Sequence, residues 1–371
     1  MMSWTTTNFL ILVLTLLSNA SGKVANTTRS GRLLNVLNIV RFPNSGCNTT
    51  NLNTYGVCYA ATECSVLGGT SSGSCAQGFG VCCMFGGTCG GSSSVNNTYF
   101  SSSDSDTSPC TFSVCPAGSD ICQIRLGFDS FDISQPSTLY PGDDNPNGRT
   151  QCQQAAFTAT SDGPSPPTIC GTNTGHHMIL DIRDSCNTLS FTWTSSTTRE
   201  WNIHIMQIPC SAAWKPPQGC LQYFTGTAGY ILSYNYAGGV HLALQNYNNC
   251  IRTEYGYCSI GYSAVSSTSF QVSLITPTSS PAAIGALGDD CTLDYLVIAE
   301  GGASAGATTN YDRFCGALLV TTAGATQATI LTHKTPFQLG VRFDSTELDE
   351  DSPAGTEWSK GFYLYYKQNT C

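Results

Sequence analysis

Charged side chains are scarce in this chain of 371 residues, and basic ones are the scarcest. Only 11% of the residues are charged, and 15 Lys and Arg against 24 Asp and Glu give a formal net charge of −9. Nucleic acids and anionic lipid surfaces are bound by clustered basic side chains that neutralise phosphates. The composition therefore argues against nucleic-acid and anionic-lipid partners.

Long apolar segments are also lacking. The apolar run at residues 8–17 is too short to cross a bilayer, which needs about 20 apolar residues, and no later stretch comes closer. Because small residues follow it, this run predicts a secretory signal peptide at residues 1–20, followed by a linker at 21–46. We expect a secreted, extracellular protein without a membrane span.

Catalytic motifs are absent from the sequence. It contains neither the Gly-Asp-Ser-Gly loop of a serine protease nor the His-Glu-x-x-His helix of a metalloprotease. The one adjacent histidine pair, His176 and His177, is expected in a solvent-exposed loop or at a strand edge. Neighbouring strand residues face opposite ways, so such a pair suits a shared metal poorly. We predict that the protein is not an enzyme and has no catalytic residues.

Amphipathic segments at helical spacing are hard to find. Short β-branched and aromatic segments instead alternate with runs of Ser, Thr, Gly and Asn, and residues 201–205 (Trp-Asn-Ile-His-Ile) alternate apolar with polar. The pattern predicts an all-β fold of packed sheets. The clearest predicted strands lie at residues 121–131, 180–193, 201–208, 293–298, 337–343 and 361–366.

Cysteine, in contrast, is abundant, and all 20 cysteines follow the apolar leader. An even number at this density in an exported chain predicts oxidised pairs. Structural zinc is the rival interpretation, but no Cys-x-x-Cys or His-x-x-x-His element occurs. We therefore expect ten disulfides and no free thiol.

The order of the cysteines repeats along the chain, which indicates two homologous domains at residues 89–210 and 220–371. Six landmarks of the first copy recur in order in the second: Cys89, Cys115, Cys122, Cys152, Cys170 and Cys210 correspond to Cys220, Cys250, Cys258, Cys291, Cys315 and Cys371. The connecting segment 211–219 holds Pro216 and Pro217 and should be stiff.

The repeat constrains the disulfides, because both copies should close by the same pattern. Within each copy we expect the first cysteine to bond the second, the third to bond the sixth and the fourth to bond the fifth. Cys110 and Cys186 have no counterparts in the second copy, so by elimination they are expected to bond each other. The predicted pairs are Cys89–Cys115, Cys122–Cys210, Cys152–Cys170, Cys110–Cys186, Cys220–Cys250, Cys258–Cys371 and Cys291–Cys315.

The second copy resembles a CUB domain over nearly all of its length. From Cys220 the sequence CLQYFTGTAGYILSYNY is similar to the CUB opening, and residues 291–298 are similar to the Cys-x-x-Asp-x-Leu-x-Val strand of that family. Residues 361–366 are similar to its closing Gly-Phe strand, whereas the first copy matches more loosely. The resemblance implies two tandem jelly-roll-type β-sandwiches.

Residues 47–83 resemble the clip domain of arthropod secreted proteases, which also ends in adjacent cysteines. A unit this small has too little core to fold without disulfides. The resemblance implies three pairs, Cys47–Cys82, Cys58–Cys75 and Cys64–Cys83. The whole chain thus resembles a tandem CUB-domain secreted protein of arthropod type with a clip-like, disulfide-rich N-terminal module.

The CUB resemblance also implies a calcium site, because many CUB domains bind this ion through a Tyr, a Glu and two Asp. Asp294 and Asp344 match the two aspartates, but at the position of the Glu only Asp289 or Asp290 could substitute. In the first copy the position that matches Asp294 is Ala155, so no calcium is expected there. We expect at most a weak calcium site in the second domain, and no other cofactor.

Asn-x-Ser/Thr sequons at Asn26, Asn48 and Asn96 predict glycosylation in or beside the N-terminal module. Residues 29–32 (Arg-Ser-Gly-Arg) have the minimal form of a proprotein-processing site, but a basic patch in a linker fits them equally well.

Together these features predict a non-enzymatic binding or adaptor protein whose CUB-like domains recognise an extracellular or cell-surface protein, or a glycan. Two alternatives stay open. One is a non-catalytic regulator of a clip-protease cascade, and the other is a structural component of the extracellular matrix or cuticle. The second is disfavoured because no repetitive adhesive tract is evident.

Overall fold

The computed structural model describes residues 40–50, 54–137, 150–194, 198–272, 285–304, 308–323, 325–345 and 359–371. Nearly all regular structure in these residues is β-strand, and the α-helical part is a short helix, α1 (Ala61–Val66). The prediction of an all-β fold is confirmed. The predicted signal peptide, the sequon at Asn26 and the basic segment 29–32 lie outside the described residues.

The N-terminal module is a small sheet around α1, stapled by three disulfides. Its strands are β1 (Gly46–Asn48), β2 (Tyr55–Tyr59), β3 (Thr70–Cys75) and β4 (Gly80–Gly87). Strand β4 pairs with both β2 and β3, and β1 pairs with β2. Cys47–Cys82, Cys58–Cys75 and Cys64–Cys83 connect these elements, and they are the pairs that the clip resemblance implies.

The next part of the chain forms two sheets. Its strands are β5 (Ser92–Ser93), β6 (Thr98–Ser101), β7 (Cys110–Val114), β8 (Ile121–Ile133), β9 (Ala155–Ala159), β10 (His177–Asp181), β11 (Asn187–Trp193) and β12 (Arg199–Pro209). One sheet has eight strands in the order β1-β2-β4-β6-β12-β8-β10, with β3 also paired to β4, and the other has the order β5-β7-β11-β9. Since β4 pairs with β6, the last strand of the N-terminal module also belongs to this first sandwich.

Aromatic side chains fill the space between these two sheets. The rings of Phe191 and Trp201 stack with centroids 3.8 Å apart, and the rings of Phe100 and Phe112 stack at 4.9 Å. Each pair joins one sheet to the other, and all four side chains are at most 1% exposed. Large aromatic rings that pack in this way dominate the burial of apolar surface.

The remaining strands form a second pair of sheets. They are β13 (Gln222–Phe224), β14 (Ala228–Leu232), β15 (Asn246–Ile251), β16 (Tyr257–Ala264), β17 (Phe270–Gln271), β18 (Gly285–Leu287), β19 (Tyr295–Gly301), β20 (Tyr311–Gly316), β21 (Ile330–Thr332), β22 (Phe337–Arg342) and β23 (Gly361–Thr370). The sheet orders are β13-β15-β22-β19-β20-β18 and β14-β23-β16-β21, with β17 also paired to β23. Buried residues such as Leu296 and Leu364 form the core between them.

Two of the predicted disulfides are wrong, because the structure pairs Cys89 with Cys110 and Cys115 with Cys186. Strand register explains the second pair: Val114 of β7 lies opposite Asn187 of β11, so the cysteines next to them face each other. Cys89 lies beside Cys110 because the Gly90 backbone N–H donates a hydrogen bond to the Thr111 carbonyl.

In the observed pairing, Cys110 rather than Cys115 corresponds to Cys250. In each sandwich the first cysteine precedes a short strand that pairs in parallel with the strand that carries its partner, β5 with β7 and β13 with β15. The other five bridges of the two sandwiches agree with the predicted pattern: Cys122–Cys210, Cys152–Cys170, Cys220–Cys250, Cys258–Cys371 and Cys291–Cys315.

Candidate functional site

Asp294 and Asp344, the two candidate calcium ligands, lie together in the structure. Asp294 directly precedes β19 and Asp344 follows β22, and these strands pair antiparallel with Tyr295 opposite Arg342. One end of the sheet therefore carries both aspartates. The Asp344 backbone N–H donates a hydrogen bond to Asp294 Oδ1 at 2.8 Å, and Asp294 is only 4% exposed.

A third carboxylate does not join this pair in the described part of the chain. Asp289 and Asp290, the candidate substitutes for the missing Glu, are exposed in a 3₁₀ turn before Cys291. The only group of three metal-ligating side chains within the described residues contains Cys89 and Cys110, whose sulfurs already form a disulfide. Two carboxylates suit a hard cation, but they fall short of the six to eight oxygens that calcium takes.

His176 is half-buried in the loop before β10, and His177 begins β10, the edge strand of its sheet. The expectation of solvent exposure is wrong for His177, which is 7% exposed because the second sandwich packs on it. The Tyr223 backbone N–H donates to His177 Nε2 at 2.9 Å, and the Tyr234 hydroxyl donates to the His177 carbonyl at 2.9 Å. Gln222 Nε2 also lies 3.3 Å from the His177 carbonyl. The pair is a structural element of the interface between the sandwiches.

Burial determines the charge state of these histidines. It lowers the pKa of His176 to about 4 and, together with the nearby Arg125 and His176, lowers the pKa of His177 to about 3. Both rings are therefore neutral at physiological pH. A neutral ring on His177 suits its contact with Tyr223, because an N–H donor requires an unprotonated nitrogen.

A second group of buried polar contacts lies at the same interface. Asn235, in the left-handed conformation, donates its backbone N–H to Asn173 Oδ1 at 2.8 Å and accepts the Thr172 N–H on its own Oδ1 at 2.8 Å. A Cβ at Gly171 would lie 2.0 Å from Asn235 Oδ1. A side chain at position 171 would thus collide with Asn235, so the glycine is required for the second sandwich to pack against the first.

The outer face of the second sandwich carries a cluster of tyrosines that sequence analysis did not single out. Tyr230 of β14 is 53% exposed, and its ring centroid lies 5.5 Å from that of Tyr363 and 5.4 Å from that of Tyr365 on β23. Alternation along β23 places Lys367 on the same side. This surface, called the tyrosine face from here on, comprises Tyr230, Leu232, Val265, Tyr363, Tyr365 and Lys367.

The two sequons within the described residues have different surroundings. Asn48 is exposed at the end of β1. Asn96 is half-buried, and its Oδ1 accepts the Gln207 backbone N–H at 2.8 Å. Glycosylation at all three sequons stays a prediction.

In the described part of the chain, no helix has the length and apolar character that crossing a bilayer requires.

Comparison with solved structures finds CUB-containing proteins at low overall similarity. The CUB1-EGF-CUB2 domains of rat MASP-1 are 13% identical, with 76% of this chain and 99% of that chain covered at a TM-score of 0.24. The CUB1-EGF-CUB2 domain of human MASP-1/3 is 15% identical, with 74% and 100% covered and a TM-score of 0.24. The extracellular region of zebrafish Gpr126/Adgrg6 is 9% identical, with 77% and 33% covered and the same TM-score.

A search of curated proteins finds no match. A scan against family models finds the animal CUB domain over residues 217–369. This range contains the tyrosine face and the Asp294–Asp344 pair, and it covers almost all of the second predicted CUB-like domain. The clip resemblance of residues 47–83 and the arthropod type stay predictions. Residues 217–369 of this chain thus match the animal CUB domain family.

Proposed function

We propose that this chain is an extracellular, non-enzymatic recognition protein that binds another secreted or cell-surface protein through the tyrosine face of its CUB-type domain. The observation that carries the proposal is the cluster on one sheet of the exposed Tyr230 with the half-buried Tyr363 and Tyr365. Ten disulfides support an oxidising, extracellular environment.

Tyrosine is suited to such a surface because its ring buries a large area while its hydroxyl makes a hydrogen bond. Interfaces are enriched in tyrosine, and a few central aromatic residues carry most of the binding energy.

Two lysines lie at this side of the sandwich: Lys367 is exposed, and Lys360 Nζ lies 4.6 Å from the ring centroid of Tyr236. On a chain of net charge −9, these lysines favour a partner whose contact surface carries carboxylates.

The test is affinity capture from extracellular fluid with the full secreted chain, followed by direct binding of each purified candidate. The double variant Tyr230→Ser and Tyr365→Ser removes two rings from the surface without touching the core. If both are hot spots, each substitution costs about 2 kcal/mol, which corresponds to roughly 30-fold in affinity.

Tyr255 supplies the matched control, because it is fully exposed in a turn outside the tyrosine face. Tyr255→Ser removes the same side chain from a different surface and should leave binding unchanged. A partner that binds the double variant as tightly as the unmodified chain contradicts the proposal. So does a partner lost equally with Tyr255→Ser.

The two alternative functions make different predictions for the same material. A regulator of a clip-protease cascade would bind a protease through residues 47–83, so the tyrosine substitutions would leave that binding intact. A matrix or cuticle component would be recovered mainly in an insoluble fraction. Recognition of a glycan by the aromatic rings would be abolished by enzymatic deglycosylation of the partner.

We also propose that Asp294 and Asp344 form the protein part of a weak calcium site in the CUB-type domain. The position of the two residues supports it, because the hydrogen bond from the Asp344 backbone to Asp294 holds both at one end of the sheet, and carboxylate oxygens are ligands that calcium prefers. Bound calcium would supply positive charge at the end of the sheet and link the start of β19 to the end of β22.

A further inference from the structure

Arg125 lies on the outer face of the first sandwich in a setting that surface arginines rarely have. Its side chain is half-buried on β8, and burial lowers its pKa. Among the residues that the structure describes, no hydrogen bond or ion pair reaches its guanidinium. Because the guanidinium lines an open cleft, its N–H groups can donate hydrogen bonds to a ligand without displacing a protein partner.

The sequence around Arg125 makes room for the guanidinium. A Cβ at Gly127 would lie 2.8 Å from Arg125 Nη1, so the side chain extends over this glycine. Gly127 lies opposite His204 on β12 and opposite His177 on β10. Because glycine has no side chain, space remains on the sheet between the two histidines. A glycine inside a strand commonly marks such a close approach.

A cleft of about 560 Å³ opens beside Arg125. Its wall is formed by the N-terminal module through Thr54, by the first sandwich through Asp129 and Asn202, and by the loop before β10 through Thr174 and His176. A register shift between β8 and β12 leaves Asp129 without a partner residue, so it bulges outward. Bulges often reorient a side chain next to a binding site.

The polar groups of the cleft leave hydrogen-bond donors for a ligand. Asn202 Oδ1 already accepts the Ser101 hydroxyl at 2.7 Å, so its amide nitrogen remains as a donor. His176 in the cleft and His204, which pairs with Gly127 next to it, are neutral at physiological pH, because burial lowers the pKa of each to about 4. Arg125 and the exposed Asp129 are therefore the charged groups here, and Arg125 is the more deeply buried.

We propose that this site, the Arg125 cleft, binds a carboxylate presented by an acidic side chain of a protein partner. A carboxylate accepts two parallel hydrogen bonds from the planar guanidinium, the geometry for which arginine is preferred over lysine. The open cleft admits a protruding side chain. The Arg125 cleft shares no residue with the tyrosine face. An experiment can therefore contradict one of the two proposals without affecting the other.

The test measures chemical modification of Arg125 by p-hydroxyphenylglyoxal, followed by peptide mass spectrometry of the full secreted chain. Acetyl-hexaglutamate is the probe for a carboxylate on a peptide, glutarate is the probe for a free carboxylate, and acetyl-hexalysine is the charge control. Arg183 provides an internal reference, because it is exposed on the same sandwich and lines no part of the cleft.

Hexaglutamate should slow modification of Arg125 several-fold and leave Arg183 unchanged, while hexalysine protects neither. Protection by hexaglutamate alone assigns the cleft to acidic side chains, and equal protection by glutarate extends it to small carboxylates. Three results overturn the proposal: no protection by either carboxylate probe, equal protection of Arg183, or an Arg125 that fails to react without any probe.

Two variants test the assignment through the affinity for labelled hexaglutamate. Arg125→Lys keeps the charge but loses the planar fork, so binding should weaken about tenfold, as expected for one lost charge-assisted hydrogen bond. Asp129→Asn removes a neighbouring negative charge and should strengthen binding. Unchanged affinity in Arg125→Lys, or weaker binding in Asp129→Asn, contradicts a carboxylate on Arg125.

Discussion

The backbone N–H of Tyr223 in the second sandwich donates a hydrogen bond to Nε2 of His177 in the first, at 2.9 Å. Because a backbone N–H only donates, this nitrogen must be unprotonated, and the proton of the neutral ring lies on Nδ1. The contact joins two regions that are distant in sequence. It makes the interface between the sandwiches sensitive to the protonation of one side chain.

This contact predicts how stability depends on pH. The pKa of His177 is about 3 in the folded chain, against an ordinary value of 6.5. Below pH 6.5 an unfolded or separated state binds a proton that the folded state does not bind. The contribution of His177 is therefore complete above pH 6.5 and decreases as the pH falls toward 3, by up to about 1.4 kcal/mol per pH unit.

Thermal unfolding between pH 7.5 and pH 5 measures this effect. His177→Gln keeps an acceptor for the Tyr223 N–H but does not titrate, so its melting temperature should change less over this range. His333→Gln, which replaces a surface histidine outside the interface, is the matched control for the loss of a histidine. Identical slopes in all three proteins would mean that His177 does not couple pH to folding.

The disulfide assignment makes a second prediction. Peptide mapping without reduction should recover Cys89 linked to Cys110 and Cys115 linked to Cys186. Replacing both Cys115 and Cys186 by Ala opens a loop of 71 residues and should cost about 4 kcal/mol by the chain-entropy model. Recovery of Cys110 linked to Cys186 would instead favour the pattern derived from the repeat alone.

Gly171 provides a third prediction, with a control that the chain itself offers. Both Gly171 and Gly175 have positive φ, but a Cβ at Gly171 meets Asn235 at 2.0 Å, whereas a Cβ at Gly175 meets nothing within 4 Å. Both alanine variants carry backbone strain, and only Gly171→Ala also displaces the second sandwich. We expect it to be about 1–3 kcal/mol less stable than Gly175→Ala, because buried hydrogen bonds at the interface are lost.

Small-angle scattering separates loss of the interface from global unfolding. The unmodified chain and Gly175→Ala should give the same radius of gyration. Gly171→Ala should give a larger radius of gyration while keeping the circular dichroism of an all-β protein. Equal scattering and equal stability of the two variants would remove Gly171 from the interface argument.

The second domain could be predicted well from sequence because its landmarks are local. Cys291 and Asp294 lie within one turn and strand, and the same short segment carries the family resemblance. The first domain was harder, since Cys110 and Cys115 are only five positions apart. Spacing cannot distinguish them, whereas the register of β7 against β11 does so directly.

The sites that were missed depend on contacts between distant segments. The sequence does not indicate that His177 is buried, because the residues that cover it, Tyr223 and Tyr234, belong to the other domain. Arg125 looks like an ordinary polar residue of an alternating strand. The sequence does contain one signal for this site, which is Gly127, two positions after Arg125. A glycine weakens the interior of a strand and often marks a position where another group approaches the backbone closely.

The last prediction concerns calcium. In the described residues Asp294 and Asp344 have no third carboxylate beside them, so binding should be weak, about 10⁻⁴ to 10⁻³ M, as in other extracellular modules. Calorimetric titration of the full chain with calcium should show saturable heat and a raised melting temperature. Asp294→Asn and Asp344→Asn keep the shape of each side chain but remove its charge, so each should abolish both effects.

Asp312 is a suitable control for the calcium titration, because its Oδ1 accepts the Glu300 backbone N–H at 2.8 Å in the same kind of contact as that of Asp294. Asp312→Asn should bind calcium like the unmodified chain. If calcium gives no heat, or if both Asp294→Asn and Asp344→Asn retain the shift in melting temperature, the pair has only a structural role. In that case the Asp294 carboxylate serves to hold the Asp344 backbone where β22 ends.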